Sequence, residues 1–113
     1  MITIYHNPRC NKSRETLGLL KKKKADVKIV EYLNDTFTAK ELKKVLLKLG
    51  MKPGQIIRKK EKLFQEKFAG KKFTDARWIA ILVKYPILIE RPIVVKDKEA
   101  VLGRPPENVL RLL

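Results

Sequence analysis

The sequence predicts a small α/β domain with a mixed sheet of about four strands and a helical insert. Three features predict it. The chain opens with a strand, helix, strand run between Ile2 and Leu33, and near its end a β-branched hairpin between Ile93 and Leu102 leads into a last helix. Between these halves, about residues 38–85 carry helical periodicity and no strand pattern.

The apolar stretch Ile2-Thr3-Ile4-Tyr5 reads as the first strand. A helix from about Asn11 to Lys23 follows, with Leu17 and Leu20 facing inward and Lys21 to Lys24 favourably placed at the negative end of its dipole. Val27 to Leu33 alternates weakly and is rich in β-branched residues, which makes it a second strand. Strand, helix, strand at this spacing is a βαβ unit, so the two strands run parallel with a right-handed crossover. The turn after the first strand then lies at the C-terminal edge of the sheet, where α/β folds commonly bind ligands.

Thr38 and Glu41 have capping-box spacing, and Leu42, Val45, Leu46 and Leu49 recur at helical intervals until Gly50 stops the run. Pro53 to Arg58 reads as a turn into a short helix, and Glu61 to Phe68 as a further turn or two. Thr74-Asp75 caps a helix carrying Trp78, Ile81, Leu82 and Tyr85, which Pro86 ends; Trp78 is read as a core residue. The sheet resumes at Ile93 to Lys96, turns at Asp97-Lys98 and returns through Ala100 to Leu102 as an antiparallel hairpin. Pro105-Pro106-Glu107 starts the last helix, whose Val109, Leu110 and Leu113 are expected to pack back on the sheet.

A chain of 113 residues suits one domain, 1–113, large enough to bury a core. No apolar run approaches the roughly 20 residues of a membrane helix, and no signal-peptide pattern opens the chain. One cysteine excludes an internal disulfide, so a reducing, cytoplasmic compartment is the economical expectation; a monomer is also expected. The formal net charge of +15 is the feature the fold explains least. It fits a nucleic-acid partner, electrostatic capture of a small oxyanion, or a strongly solvated lysine surface. The basic residues show no nucleic-acid motif and no aromatic interleaving along the sequence.

The one cysteine lies in His6-Asn7-Pro8-Arg9-Cys10-Asn11-Lys12-Ser13-Arg14, on the strand-to-helix turn. Unpaired N–H groups and the positive end of a helix dipole favour a thiolate there. A free thiol with a pKa of about 8.5 is only about 3% ionised at pH 7, and making it mostly thiolate takes roughly 2.7 kcal/mol. A helix terminus supplies about 0.3–1 kcal/mol and at most about 2, so further cations or donors must contribute. Arg9, Lys12, Arg14 and a protonated His6 are candidate cations; the Ser13 hydroxyl and Asn7 amide are candidate donors.

The run HNPRCNKSRETL resembles the active-site loop of the glutaredoxin-dependent arsenate reductase (ArsC) family, proteins of thioredoxin-like fold with one essential cysteine. Tyr85-Pro86-Ile87-Leu88-Ile89-Glu90-Arg91-Pro92-Ile93-Val94-Val95, followed by Leu102-Gly103-Arg104-Pro105-Pro106-Glu107, resembles the family's second signature. The resemblance implies that Cys10 attacks arsenate to form a thiol-arsenate adduct and that His6 and Ser13 stabilise its thiolate, while Asn7 and Arg14 belong to the loop. It implies that Arg58, Arg91 and Arg104 bind the oxyanion, and that Pro92 takes the place where the fold sets a cis-proline beside its cysteine. It further implies no bound cofactor or metal, glutathione as co-substrate, and glutaredoxin as the protein that completes reduction to arsenite. Guanidinium forks suit the chemistry, because an anionic arsenate otherwise repels a thiolate.

Two other readings stay open, the first of them a group that shares this fold. Spx-type regulators bind RNA polymerase and often carry a Cys-x-x-Cys switch, which Ser13 removes here. A monothiol transferase acting on glutathione mixed disulfides needs only the one cysteine.

Overall fold

The computed structural model describes residues 1–113. They form two units, one of Met1–Asp35 with Arg91–Leu113 and the other of Thr36–Glu90.

The first unit is built on four strands, β1 (Ile2–Tyr5), β2 (Val27–Val30), β3 (Ile93–Lys96) and β4 (Glu99–Leu102), in the order β2-β1-β3-β4. β1 and β2 are parallel, whereas β1–β3 and β3–β4 are antiparallel. That mixed pattern, joined by helix α1 (Asn11–Lys22) after β1, is the thioredoxin-like arrangement expected from the sequence. Ile2 and Ile4 alternate with less buried neighbours along β1 and bury their side chains with Leu20 of α1, Val94 and Val101 of the hairpin, and Val109 and Leu112 of the C-terminal segment. At about 1.5–3 kcal/mol for each large aliphatic side chain removed from water, this cluster fixes the helix to the sheet.

Two expectations are corrected. β2 stops at Val30 instead of Leu33, because the chain turns at Glu31, whose carbonyl accepts from both Asn34 N and Asp35 N. The last helix, Pro106–Leu112, is a 3-10 helix. With three residues per turn its inner face is Pro106, Val109 and Leu112, while Leu110 and Leu113 face solvent and do not pack back as expected.

The second unit holds α2 (Ala39–Leu49), a 3-10 turn at Pro53–Ile56, α3 (Lys62–Lys67), α4 (Asp75–Lys84) and a second 3-10 turn at Pro86–Leu88. α2 shows the capping box in full: Thr38 Oγ1 accepts from Glu41 N at 3.1 Å and Glu41 Oε1 accepts from Thr38 N at 3.0 Å. Gly50 closes it in the left-handed conformation at φ +68. Thr38→Ala should therefore cost about 1 kcal/mol in urea unfolding. Arg58 N donates to Leu88 O and Glu90 N to Ile56 O, both at 2.7 Å, closing this unit on itself. Trp78 of α4 sits edge-on to Phe73 at 4.9 Å and against Phe64 and Phe68, half-buried in this aromatic cluster and not the fully buried core residue expected. No helix is long and apolar enough to cross a membrane.

Candidate active site

The loop between β1 and α1 is held by its own polar groups. Asn7 Oδ1 accepts from Arg9 N and Asn7 O from Cys10 N, each at 3.0 Å, which turns the chain so that Cys10 becomes the extended N-cap of α1. Ser13, in the first turn of α1, is completely buried. Its Oγ accepts from Asn7 N at 3.0 Å and lies 2.6 Å from His6 Nδ1. Outside, Arg14 Nη1 donates to Pro8 O at 2.9 Å and Nη2 pairs with Asn11 Oδ1. His6, Asn7, Ser13 and Arg14 thus all brace the Cys10 loop.

Burial pushes the Cys10 thiol up. Opposing it are the Ser13 backbone N–H, a hydrogen bond and the positive charge from Arg91, and the Lys12 backbone N–H, which together hold the thiol below its ordinary value. The cation the helix terminus needs is therefore Arg91, from the far end of the sequence, and not one within the loop. Ser13 helps the sulfur through its main chain, since its hydroxyl is committed to His6 and Asn7.

His6 departs from the expectation of a local cation. Burial lowers its pKa; Glu31 raises it, but Lys21 and Arg14 lower it again, and the balance lies below the ordinary value. A neutral ring leaves Nδ1 free to accept, so the network assigns the Ser13 hydroxyl proton to that bond. His6 acts on Cys10 by positioning the loop.

Arg91 precedes Pro92 across a cis peptide bond at the entrance to β3, and its Nε is buried without an acceptor. Gly103 N donates to Pro92 O at 2.9 Å, which brings the Arg104 turn to the same end of the hairpin. The Arg104–Pro105 bond is also cis, and the Arg104 side chain is exposed. Arg58 belongs to the other unit, where its Nη1 forms a 2.7 Å ion pair with Glu61. No group of three or more His, Cys, Asp and Glu side chains is gathered to hold a metal ion.

Sequence reasoning missed Thr16 and the role of Gly103. Thr16 is fully buried on α1; its Oγ1 donates within 2.7 Å of Lys12 O and also lies 3.1 Å from Gly103 O. A Cβ on Gly103 would fall 2.7 Å from Thr16 Oγ1 and 2.8 Å from Pro92 Cγ. One hydroxyl thus locks the helix that begins at Cys10 to the neighbours of Arg91 and Arg104. Thr16 and Gly103 stand 87 positions apart, so no local spacing signals the pair.

Alkylation by iodoacetamide should have its half-point at a lower pH for the folded protein than for the same chain in urea. Because the folded value is the depressed one, Cys10 adds stability that is complete above the unfolded thiol's pKa. That stability is lost as pH falls through the folded value. The stability of the wild-type chain relative to Cys10→Ser should accordingly rise with pH across that window.

The family profile for the ArsC family matches residues 5–112. The uncharacterised protein YfgD of Escherichia coli is 43% identical over 99% of this chain and 96% of its own length. The arsenate reductase of E. coli is 41% identical over 99% of this chain and 80% of its own. Among solved structures, an arsenate reductase from Vibrio cholerae superposes with a TM-score of 0.95 at 41% identity, covering 99% of this chain and 97% of that one. The sequence signatures, the thioredoxin-like sheet and these full-length similarities converge: the chain belongs to the ArsC family.

Proposed function

We propose that this protein is an arsenate reductase that uses Cys10 as its nucleophile and takes its electrons from glutathione and glutaredoxin. The observation that carries the reading is the Cys10–Arg91 contact: a thiol lowered below its ordinary value, with a guanidinium whose Nε is buried and unpaired beside it. An unpaired buried donor is costly, and an arsenate oxygen is an acceptor of the right charge to relieve it.

The Cys10 thiolate attacks arsenic and an oxygen leaves as water after protonation, giving a thiol-arsenate adduct. Arg91, with Arg104 as a further oxyanion ligand, neutralises the charge that builds on the oxygens. Asn7, Ser13, Arg14 and the neutral His6 keep the sulfur at the helix terminus. Glutathione then attacks the adduct, and a second thiol, delivered with glutaredoxin, completes the two-electron step. Overall, one arsenate and two glutathiones give arsenite, glutathione disulfide and water. The lone cysteine supports dependence on external thiols, and the cytoplasm is the reducing compartment this cycle requires.

The test is NADPH consumption in a coupled assay with arsenate, glutathione, glutaredoxin and glutathione reductase. Cys10-dependent turnover is the expected result. Turnover only on a glutathione mixed disulfide would replace the reading with a monothiol transferase, and salt-sensitive capture of RNA polymerase without turnover would replace it with a regulator.

A further inference from the structure

The charge that the fold leaves unexplained has one place where it converges. Within residues 36–90 a cavity of about 520 Å3 is bordered by Lys67, Lys71, Arg77 and Lys84, with Phe68 and Tyr85 among its apolar walls. Glu66 is the one acid there, and it lies 3.8 Å from Lys62. None of the four cations has a carboxylate within salt-bridge distance. Aromatic faces hold three of them instead: Lys67 Nζ and Lys84 Nζ stand 5.5 and 5.4 Å from the Tyr85 ring centre, and the Arg77 guanidinium 5.8 Å from that of Phe73. The aromatic interleaving absent along the sequence is thus present in space.

Cation–π contacts fix such groups without consuming their N–H donors. Four like charges around one cavity repel one another, and the natural relief is a ligand with several negative charges. The volume lies within the roughly 300–1,000 Å3 of ordinary ligand pockets and exceeds what a single oxyanion fills. Lysine ammonium groups and an arginine fork suit phosphate oxygens, which accept from several donors at once. A net charge of +15 also draws polyanions toward the surface from a distance.

We propose that this cavity binds linked phosphate groups. Two sources offer that chemistry: the backbone of a single-stranded nucleic acid, and a free polyphosphate chain.

The test titrates the full chain with a fluorescein-labelled oligothymidylate of about twelve nucleotides, inside the ~4–16-nucleotide site sizes of such grooves, and separately with inorganic tripolyphosphate. Anisotropy reports the first. The second is read from Trp78, the only tryptophan, which packs 6.2 Å from the Phe68 wall. Lys71→Gln with Lys84→Gln is compared with Lys22→Gln and Lys23→Gln, an exposed pair outside the cavity that lowers net charge equally. A log–log salt slope of about 0.7 per single-strand contact makes each contact worth roughly fourfold near 0.15 M salt, so the cavity pair should weaken binding about tenfold and lower the slope by about 1.4. The control pair should change affinity less than about twofold. Tighter binding of the oligonucleotide identifies nucleic acid as the source; tighter binding of tripolyphosphate identifies the free chain. Equal losses in both pairs would reduce the effect to diffuse charge and overturn the site, as would failure of both probes to bind.

Discussion

Cys10→Ser is expected to abolish arsenate reduction, lowering turnover in the coupled assay by at least about 10⁴-fold. The hydroxyl is close to the thiol in size and occupies the same nearly buried position, so the fold should survive. It should even gain under acidic conditions. Cys10 is the N-cap of α1 yet makes no side-chain cap bond, and serine is a preferred N-cap worth about 0.5–2 kcal/mol over an inert one. Loss of activity together with unchanged or raised stability below the folded thiol's pKa would separate chemistry from folding. Retained turnover would remove Cys10 from the mechanism.

Arg91→Ala is expected to have the second largest effect, about 2–4 kcal/mol of transition-state stabilisation, or roughly 30- to 10³-fold in rate. Under the proposed function Arg91 would act on both reactants: it hydrogen-bonds and charges the Cys10 site, and its Nε is buried and unpaired, available to an oxyanion. The variant should therefore shift the alkylation half-point of Cys10 to higher pH as well as slow turnover. Arg91→Lys divides the two roles, because an ammonium keeps the charge but not the planar fork. It should restore much of the thiol's acidity and little of the rate. An unchanged half-point in the alanine variant would show that the thiol is governed by the helix terminus alone.

What could be read from the sequence follows from the range of the forces involved. β1, α1 and the β3–β4 hairpin announce themselves because periods of two and 3.6 are local, and the Thr38 capping box spans only four residues. The loop around Cys10 was legible as chemistry because its donors and cations are neighbours in the chain. The state of His6 was not, since burial and the charges of Glu31 and Lys21 reach it through the fold. Thr16 was invisible for the same reason: its partner is the Gly103 carbonyl across the sheet. The C-terminal segment was misread in its facing because two prolines begin a helix of period three, and a reading at 3.6 selects Leu110 and Leu113 where the fold buries Leu112.

The hairpin pairing has a consequence for how this chain can vary in length. Ile93 pairs with Leu102, and Arg91 and Arg104 each stand two residues beyond that pair, so the two guanidinium-bearing residues hang from matching points on the arms of one hairpin. The bend that joins the arms, Asp97-Lys98, lies at the opposite end, with Asp97 in the left-handed region at φ +54. Adding or removing one residue at that bend would slide one arm against the other by about 3.3 Å and turn its side chains to the wrong face. The distant bend therefore acts as a gauge for the spacing of the end that carries Arg91 and Arg104, and insertions are tolerable only where they leave that gauge alone.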